Sequence, residues 1–246
     1  MEVSLSPQEH IEHMNGRLQL VVSPEYTFGT DALLLAAFAM PKPNDRSCDF
    51  GTGCGIIPFF WLSKGVKEAY AVEIQENAVR LAERSAALSG VEDRLHLFHA
   101  DLRSLDGLLP AGRFDCVTMN PPYTRRGHGI QSRSEAEKTA RHEDSLTLAD
   151  AAQSAKKLLK FGGRFCICLR PDRLPEAVCT LRAAGLEPKR LRFAAYAQGK
   201  TPWLFLLEGQ KGRNPGMKIE PELYIRTQTG AYSDEMQDIL QPYGKD

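Results

Sequence analysis

The chain has 246 residues, 42% hydrophobic and 25% charged, with a formal net charge of zero. That is the composition of an ordinary globular protein, and the length supports a core that needs no disulfide or metal staple. No apolar run reaches membrane-spanning length, and the start (Glu9, His10, Glu12, His13) is polar rather than basic and then apolar, which argues against a secretory signal and points to the cytoplasm.

In chain order, residues 17–23 read as a strand. Thr30 or Asp31 is placed to cap a short helix over 32–38, which Pro41 and Pro43 end. From residue 47 strands and helices alternate: strand 47–50, a glycine-rich turn, helix 56–64, strand 68–73, helix 76–89 closed by Gly90, and strands 95–98 and 114–119. Residues 124–144 form a long polar loop. Residues 146–160 have helical apolar spacing and stop at Gly162-Gly163. A strand at 164–169, a helix at 175–184 and a last antiparallel pair, 191–197 with 203–208, follow. This alternation predicts an α/β fold, a mostly parallel sheet with helices on both faces.

The six cysteines (Cys48, Cys54, Cys116, Cys166, Cys168, Cys179) form no C-x-x-C pair, so they read as reduced residues of a cytosolic protein, with no zinc site. The neutral total hides an uneven spread. Residues 1–50 carry a net charge of −4, residues 182–218 (Arg182, Lys189, Arg190, Arg192, Lys200, Lys211, Arg213, Lys218 against two Glu) +6, and residues 219–246 −4. The middle stretch is either a solvated face or a phosphate contact.

Two motifs carry chemistry. Asp49-Phe-Gly51-Thr52-Gly53-Cys54-Gly55 joins a strand to a helix, and its glycines permit a tight turn and close approach of a ligand. The helix start behind it suits a carboxylate or a phosphate. The spacing is G-x-G-x-G, not the G-x-G-x-x-G of dinucleotide binders. Glu73, at the end of the next strand, is placed to take ribose hydroxyls, and Asp101, past the third, to read an adenine amino group. The second motif, Asn120-Pro121-Pro122-Tyr123, follows an apolar strand directly. Its prolines fix where the Asn120 side chain and the Pro121 carbonyl point, and both groups accept hydrogen bonds. A planar amino group offers two N–H donors to match them, and Tyr123 can stack on a base.

Together the two motifs resemble the class I methyltransferases that act on amino nitrogens, over roughly residues 45–208. Phe28-Gly-Thr30-Asp31-Ala-Leu-Leu34, Ala140-Arg-His-Glu143 and Lys211-Gly-Arg-Asn-Pro-Gly-Met-Lys218 extend the likeness along nearly the whole chain to the bacterial tRNA1(Val) adenine(37)-N6-methyltransferase family. The resemblance implies a three-layer, Rossmann-like fold with a seven-stranded sheet and a terminal antiparallel hairpin. It implies one domain over residues 1–246, made of an N-terminal extension (1–44), a catalytic core (45–208) and a C-terminal extension (209–246). The implied cofactor is S-adenosyl-L-methionine, held by Thr30, Asp31, Asp49, Gly51, Thr52, Gly53, Gly55, Glu73, Ile74, Asp101, Leu102 and Asn120. Asn120, Pro121, Pro122 and Tyr123 are the implied catalytic set.

The expected reaction is methylation of adenine N6 in a tRNA, in the anticodon loop, by a monomer without metal. Loop 124–144 (Arg125, Arg126, Arg133, Lys138 and Arg141 against Glu135 and Glu137, then His142) and residues 182–218 are the candidate RNA contacts. Methylation of a protein glutamine, ribosomal RNA or DNA adenine are the alternatives, with a non-catalytic RNA-binding protein and a nicotinamide oxidoreductase further off. Only 48 residues precede Asp49, and they do not read as the helical domain of the glutamine enzymes.

Overall fold

The chain first makes a hairpin that its polar start conceals. Strands β1 (His10–Met14) and β2 (Leu18–Val22) pair antiparallel in the computed structural model, which describes residues 5–14, 18–121 and 146–241. Four of the five residues of β1 are exposed or half-buried and only Met14 is buried, so the strand carries two histidines and a glutamate that disguise it.

The short apolar runs then assemble into one sheet. Strands β3 (Ser47–Phe50), β4 (Ala69–Glu73), β5 (Leu95–His99), β6 (Phe114–Met119) and β7 (Leu159–Leu169) run parallel. Strand β9 (Leu204–Lys211) is antiparallel between β7 and β8 (Leu186–Ala195). The order β8-β9-β7-β6-β3-β4-β5 is the expected seven-stranded sheet with its antiparallel hairpin. Two short strands from the C-terminal extension, β10 (Lys218–Ile219) and β11 (Leu223–Tyr224), pair with β8 and lengthen that edge.

Helices cover both faces. Helices α1 (Thr30–Ala39), α2 (Ile56–Ser63) and α3 (Glu76–Ser89) share one core with the β1–β2 hairpin and with the late helix α6 (Asp234–Leu240). Helices α4 (Leu148–Leu158) and α5 (Leu174–Ala183) pack on the other face. Strand β7 shows how the chain serves both cores: Cys166 and Cys168 face the first, Phe165, Ile167 and Leu169 the second, as the two-residue period requires. Helix α2 is buried on every side, and Trp61 Nε1 donates to Ala36 O at 3.1 Å, so its indole enters the core without an unpaired donor.

Several boundaries differ from the sequence expectation. Neither Thr30 nor Asp31 caps α1. Its N-cap is Gly29, with no side-chain hydrogen bond, because the Asp31 carboxylate is engaged elsewhere. Helix α4 is capped instead by Thr147, which exchanges hydrogen bonds with Asp150 in a capping box. The expected stop at Gly162-Gly163 falls inside β7. Gly162 has φ +78°, a Cβ on Gly163 would sit 2.9 Å from Phe114 O, and the β6–β7 register shifts between Phe114 and Cys116. The glycines therefore mark a strand irregularity, not a helix end. The C-terminal extension folds back: Leu223, Ile225, Met236 and Ile239 are buried.

The hairpin docks on α3 partly through Ser85, which is fully buried. Its hydroxyl accepts from Val21 N at 2.8 Å and donates to Leu81 O at 2.8 Å. Ser85→Ala strands the Val21 amide, and such a loss costs about 1–3 kcal/mol. The expected outcome is a melting temperature lowered by roughly 2–12 °C, read by thermal denaturation. An unchanged melting temperature would show that the hairpin is held without this contact.

Candidate active site

The site lies where the chain changes direction across the sheet. From β3 the connections run one way to β4 and β5, and then β6 returns to the opposite side of β3. Ligands of open α/β sheets bind at the carboxyl ends of the strands beside such a switch point. Register brings the two sequence motifs together there: Phe50 pairs with Met119, so the glycine loop leaving β3 and Asn120 leaving β6 start side by side. Glu73 ends β4 on the far side of β3, and Asp101 follows β5. Asn120, the loop, Glu73 and Asp101 thus form a row across four strand ends, about 15 Å long.

The glycine loop is closed by its own hydrogen bonds. Val72 O accepts from the amides of Gly51 and Thr52, at 2.8 and 3.2 Å, and Thr52 O accepts from Gly55 at 2.9 Å. The Gly53 amide donates to Glu73 Oε2 at 2.8 Å, while Glu73 Oε1 accepts from the amides of Ile74 and Gln75 at 2.8 and 2.9 Å. One buried carboxylate therefore fixes the loop to the end of β4. Gly51 and Gly53 have φ of +63° and +55°, and a Cβ at either position would meet nothing within 4 Å. The loop thus offers the room for close approach of a ligand that its glycines led one to expect. Ile74 stands at the edge, 37% exposed. Leu102 instead packs its side chain into the second core.

Asp49 is buried beneath the loop, where its Oδ1 accepts from Thr118 Oγ1 at 2.6 Å. Burial raises its pKa to about 7, against the lowering effect of the Thr118 and Thr52 hydroxyls and with a further rise from the Glu73 charge. Asn120 is held from two sides. Its Nδ2 donates to Asp31 Oδ2 at 2.9 Å, and its Oδ1 accepts from the Cys168 thiol at 3.1 Å. An ionised carboxylate accepts only, so Asp31 dictates which end of the amide faces it and turns the carbonyl oxygen the other way. Thr118 and Cys168 were not among the sequence candidates. Thr118 is the hydroxyl in an otherwise apolar strand end, but which residue it meets depends on sheet register.

Asp101 sits at the expected strand end, but its carboxylate is paired with Arg103, whose Nε lies 3.0 Å from both oxygens. Thr30 is exposed at the start of α1, and Pro121 is buried. Pro122, Tyr123 and the whole 124–144 loop with its basic side chains lie outside the described residues.

The family model for the methyltransferase small domain matches residues 24–173, which span both motifs and the residues they meet. The chain belongs to that family. It is 28% identical to a tRNA1(Val) (adenine(37)-N6)-methyltransferase of Tolumonas auensis, over 84% of this chain and 85% of that one. It is 26% identical to the protein of the same name in Aeromonas salmonicida, over 96% of this chain and 94% of that one. Among solved structures, a predicted O-methyltransferase of Agrobacterium tumefaciens superposes with a TM-score of 0.70 at 18% identity, covering 88% of this chain and 98% of that one. This likeness is one of fold. The protein is a methyltransferase, and the cofactor that the sequence resemblance implies is S-adenosyl-L-methionine. The open space over Gly51 and Gly53, and the Glu73 carboxylate beside it, fit that molecule.

The raised pKa of Asp49 has a consequence for stability. Between pH 4 and 7 the folded state holds this proton more tightly than the unfolded chain does, so ionisation costs stability as pH rises through that window and costs no more above it. Asp49→Asn removes the titration. Urea midpoints measured at pH 5 and pH 8 are expected to show the variant gaining on the parent as pH rises. A constant difference would refute the buried, proton-holding carboxylate.

Proposed function

We propose that this methyltransferase transfers the methyl group of S-adenosyl-L-methionine to N6 of an adenine in tRNA, in the anticodon loop. The observation that carries this reading is the Asn120 carboxamide, oriented by Asp31 at the strand end next to the glycine loop. The names of the tRNA-modifying relatives support it, at identities below 30%.

In this reading the glycine loop, Glu73, Ile74 and Asp101 hold the cofactor, with Asp49 and Thr52 supporting the loop from below. Asp101 would exchange Arg103 for the adenine amino group. When bound, the cofactor supplies an already activated methyl group, so the protein's task is positioning and electrostatics. Asn120 Oδ1 and the Pro121 carbonyl accept the two N–H groups of the target amine. That favours its pyramidal form, in which the nitrogen lone pair is free of the ring. Tyr123 stacks on the base, and Pro122 stiffens the turn. No strong general base is needed, because the proton can leave for water after transfer. An anticodon loop suits such an enzyme, since its bases are less costly to unstack than those of a duplex.

The RNA contacts we assign to loop 124–144 and to those basic residues of 182–218 that the fold leaves available. Most of the latter have structural partners. Arg182 pairs with Glu187, Arg190 with Glu208 and Glu220, and Arg192 with Glu235. Lys189 donates to Asn214 O, and Lys211 to the carbonyls of Lys156 and Leu159. Among the described residues Lys200, Arg213 and Lys218 have no side-chain hydrogen bond or ion pair.

The test is incubation of the purified protein with cofactor and unmodified bulk tRNA, followed by mass spectrometry for N6-methyladenosine. Product is expected, and Asn120→Ala should lower kcat/KM by about 10²–10³, the usual cost of losing one pre-organised polar contact to the reacting group. No product despite cofactor binding would move the assignment to ribosomal RNA or a protein glutamine. Asp31→Asn provides a second check. A neutral amide can face Asn120 with either end, so kcat should fall at least tenfold while tRNA affinity holds. An unchanged kcat would show that Asp31 does not orient Asn120.

A further inference from the structure

The C-terminal extension builds a surface that the catalytic residues do not explain. Beyond the carboxyl end of β8, Tyr196 O accepts from Arg226 N at 2.8 Å, and Ala195 O from Ile225 N at 3.0 Å. The Arg226 guanidinium lies between two rings, 5.9 Å from the centroid of Tyr196 and 4.4 Å from that of Tyr232. Its Nη1 donates to Gly230 O at 2.7 Å, which fixes its plane. Both rings remain open to solvent: Tyr196 is 56% exposed and Tyr232 41%, with Trp203, 39% exposed, at the start of β9 alongside. The β8–β9 connection also carries Lys200, exposed and without a side-chain partner.

Fastening the extension does not require these rings outside. Leu223, Ile225, Met236 and Ile239 are buried, and β11 pairs with β8. Three large rings and two cations on one edge form a surface for planar, anionic polymers: bases stack on the rings while the cations meet phosphates. The edge is also the right one. Strand β8 is parallel to β7 and β6 in the sheet order, so Tyr196 and Asn120 lie at the same end of the sheet. Three strand spacings and a four-residue offset along the strands separate them, roughly 20 Å. A single-stranded segment with one base at Asn120 can reach that far within a few nucleotides.

We infer that Tyr196, Arg226 and Tyr232, with Trp203 and Lys200, form a base-stacking platform that holds unpaired nucleotides of the tRNA beside the reacting adenine. This rests on the tRNA reading above. It assigns the C-terminal extension a role in substrate binding and keeps it out of the chemistry.

The experiment measures binding of an unmodified tRNA transcript by fluorescence anisotropy, at several salt concentrations, with steady-state methylation on the same samples. Tyr196→Ala and Tyr232→Ala should each weaken tRNA binding by about 5- to 150-fold and raise KM, since stacking contributes about 1–3 kcal/mol per base. Their kcat at saturating tRNA and their cofactor Kd should match the parent. Tyr196→Phe should bind as the parent does, because the ring is kept. Lys200→Ala, in an exposed turn where no core is at stake, should flatten the salt dependence by about one phosphate contact. Alanine variants that melt lower but bind tRNA like the parent would overturn the inference and leave the rings as a clasp for the extension. A parent that neither binds nor methylates tRNA would instead overturn the function proposed above.

Discussion

The parallel pairing of β3 with β6 is the constraint on which the site depends. The two strands are separated in sequence by two other strands and by helices α2 and α3, yet Phe50 is set against Met119 in register. A slip of one residue would exchange the two faces of β6, sending Met119 and Val117 to the wrong core and turning Thr118 away from Asp49. The burial of Phe50, Val117 and Met119 in the second core, and of Cys116 in the first, holds the register. The distance between the glycine loop and Asn120 follows from that burial rather than from any direct contact between the motifs.

Around this pairing the protein spends carboxylates on position, two of them buried (Asp49 and Glu73) and one, Asp31, half-buried. Asp49, Glu73 and Asp31 lie at neighbouring strand and helix ends, and each takes a donor from a different element: the Thr118 hydroxyl, the Gly53 amide and the Asn120 amide. Burying a carboxylate is costly unless hydrogen bonds compensate. Glu73 meets that cost with three backbone amides, whereas Asp49, hydrogen-bonded through its carboxylate to the Thr118 hydroxyl, meets it by holding its proton more tightly. The glycine loop and Asn120 are therefore each tied by hydrogen bonds to a neighbouring element, the kind of pre-organisation that the proposed chemistry requires.

The same logic reassigns much of the positive charge at the C-terminal side. Arg164 and Arg190 approach the buried Glu208 and donate to the carbonyls of Met40 and Phe38 just beyond and within the end of α1, so their charge is consumed in joining α1 to the sheet. What reaches solvent at the catalytic edge is a smaller set, Lys200 and the guanidinium of Arg226 between its tyrosines. A count of basic residues along 182–218 overstates the surface charge, because it cannot see which arginines have carboxylates folded against them.

Much was legible in the sequence because the interactions that decide it are local. The alternation of strand and helix pointed to an α/β fold with a mostly parallel sheet, and the glycine spacing and the apolar strand before Asn120-Pro121 picked out the two motifs, whose family resemblance implied the seven-stranded sheet with its antiparallel hairpin. The polar pattern of His10–Met14 hid a strand because only Met14 of its five residues is buried, and Gly162-Gly163 read as a helix stop because a glycine pair signals a break without saying in which element. Beyond local signals lay everything that joins distant residues: Asp31 with Asn120 across 89 positions, Cys168 with Asn120 across 48, and the ring of Tyr196 with Arg226. Those partners are chosen by sheet register and helix packing, which are properties of the whole core. The sequence by itself determined the chemistry available to this protein, and the tertiary structure decided which groups stand close enough to use it.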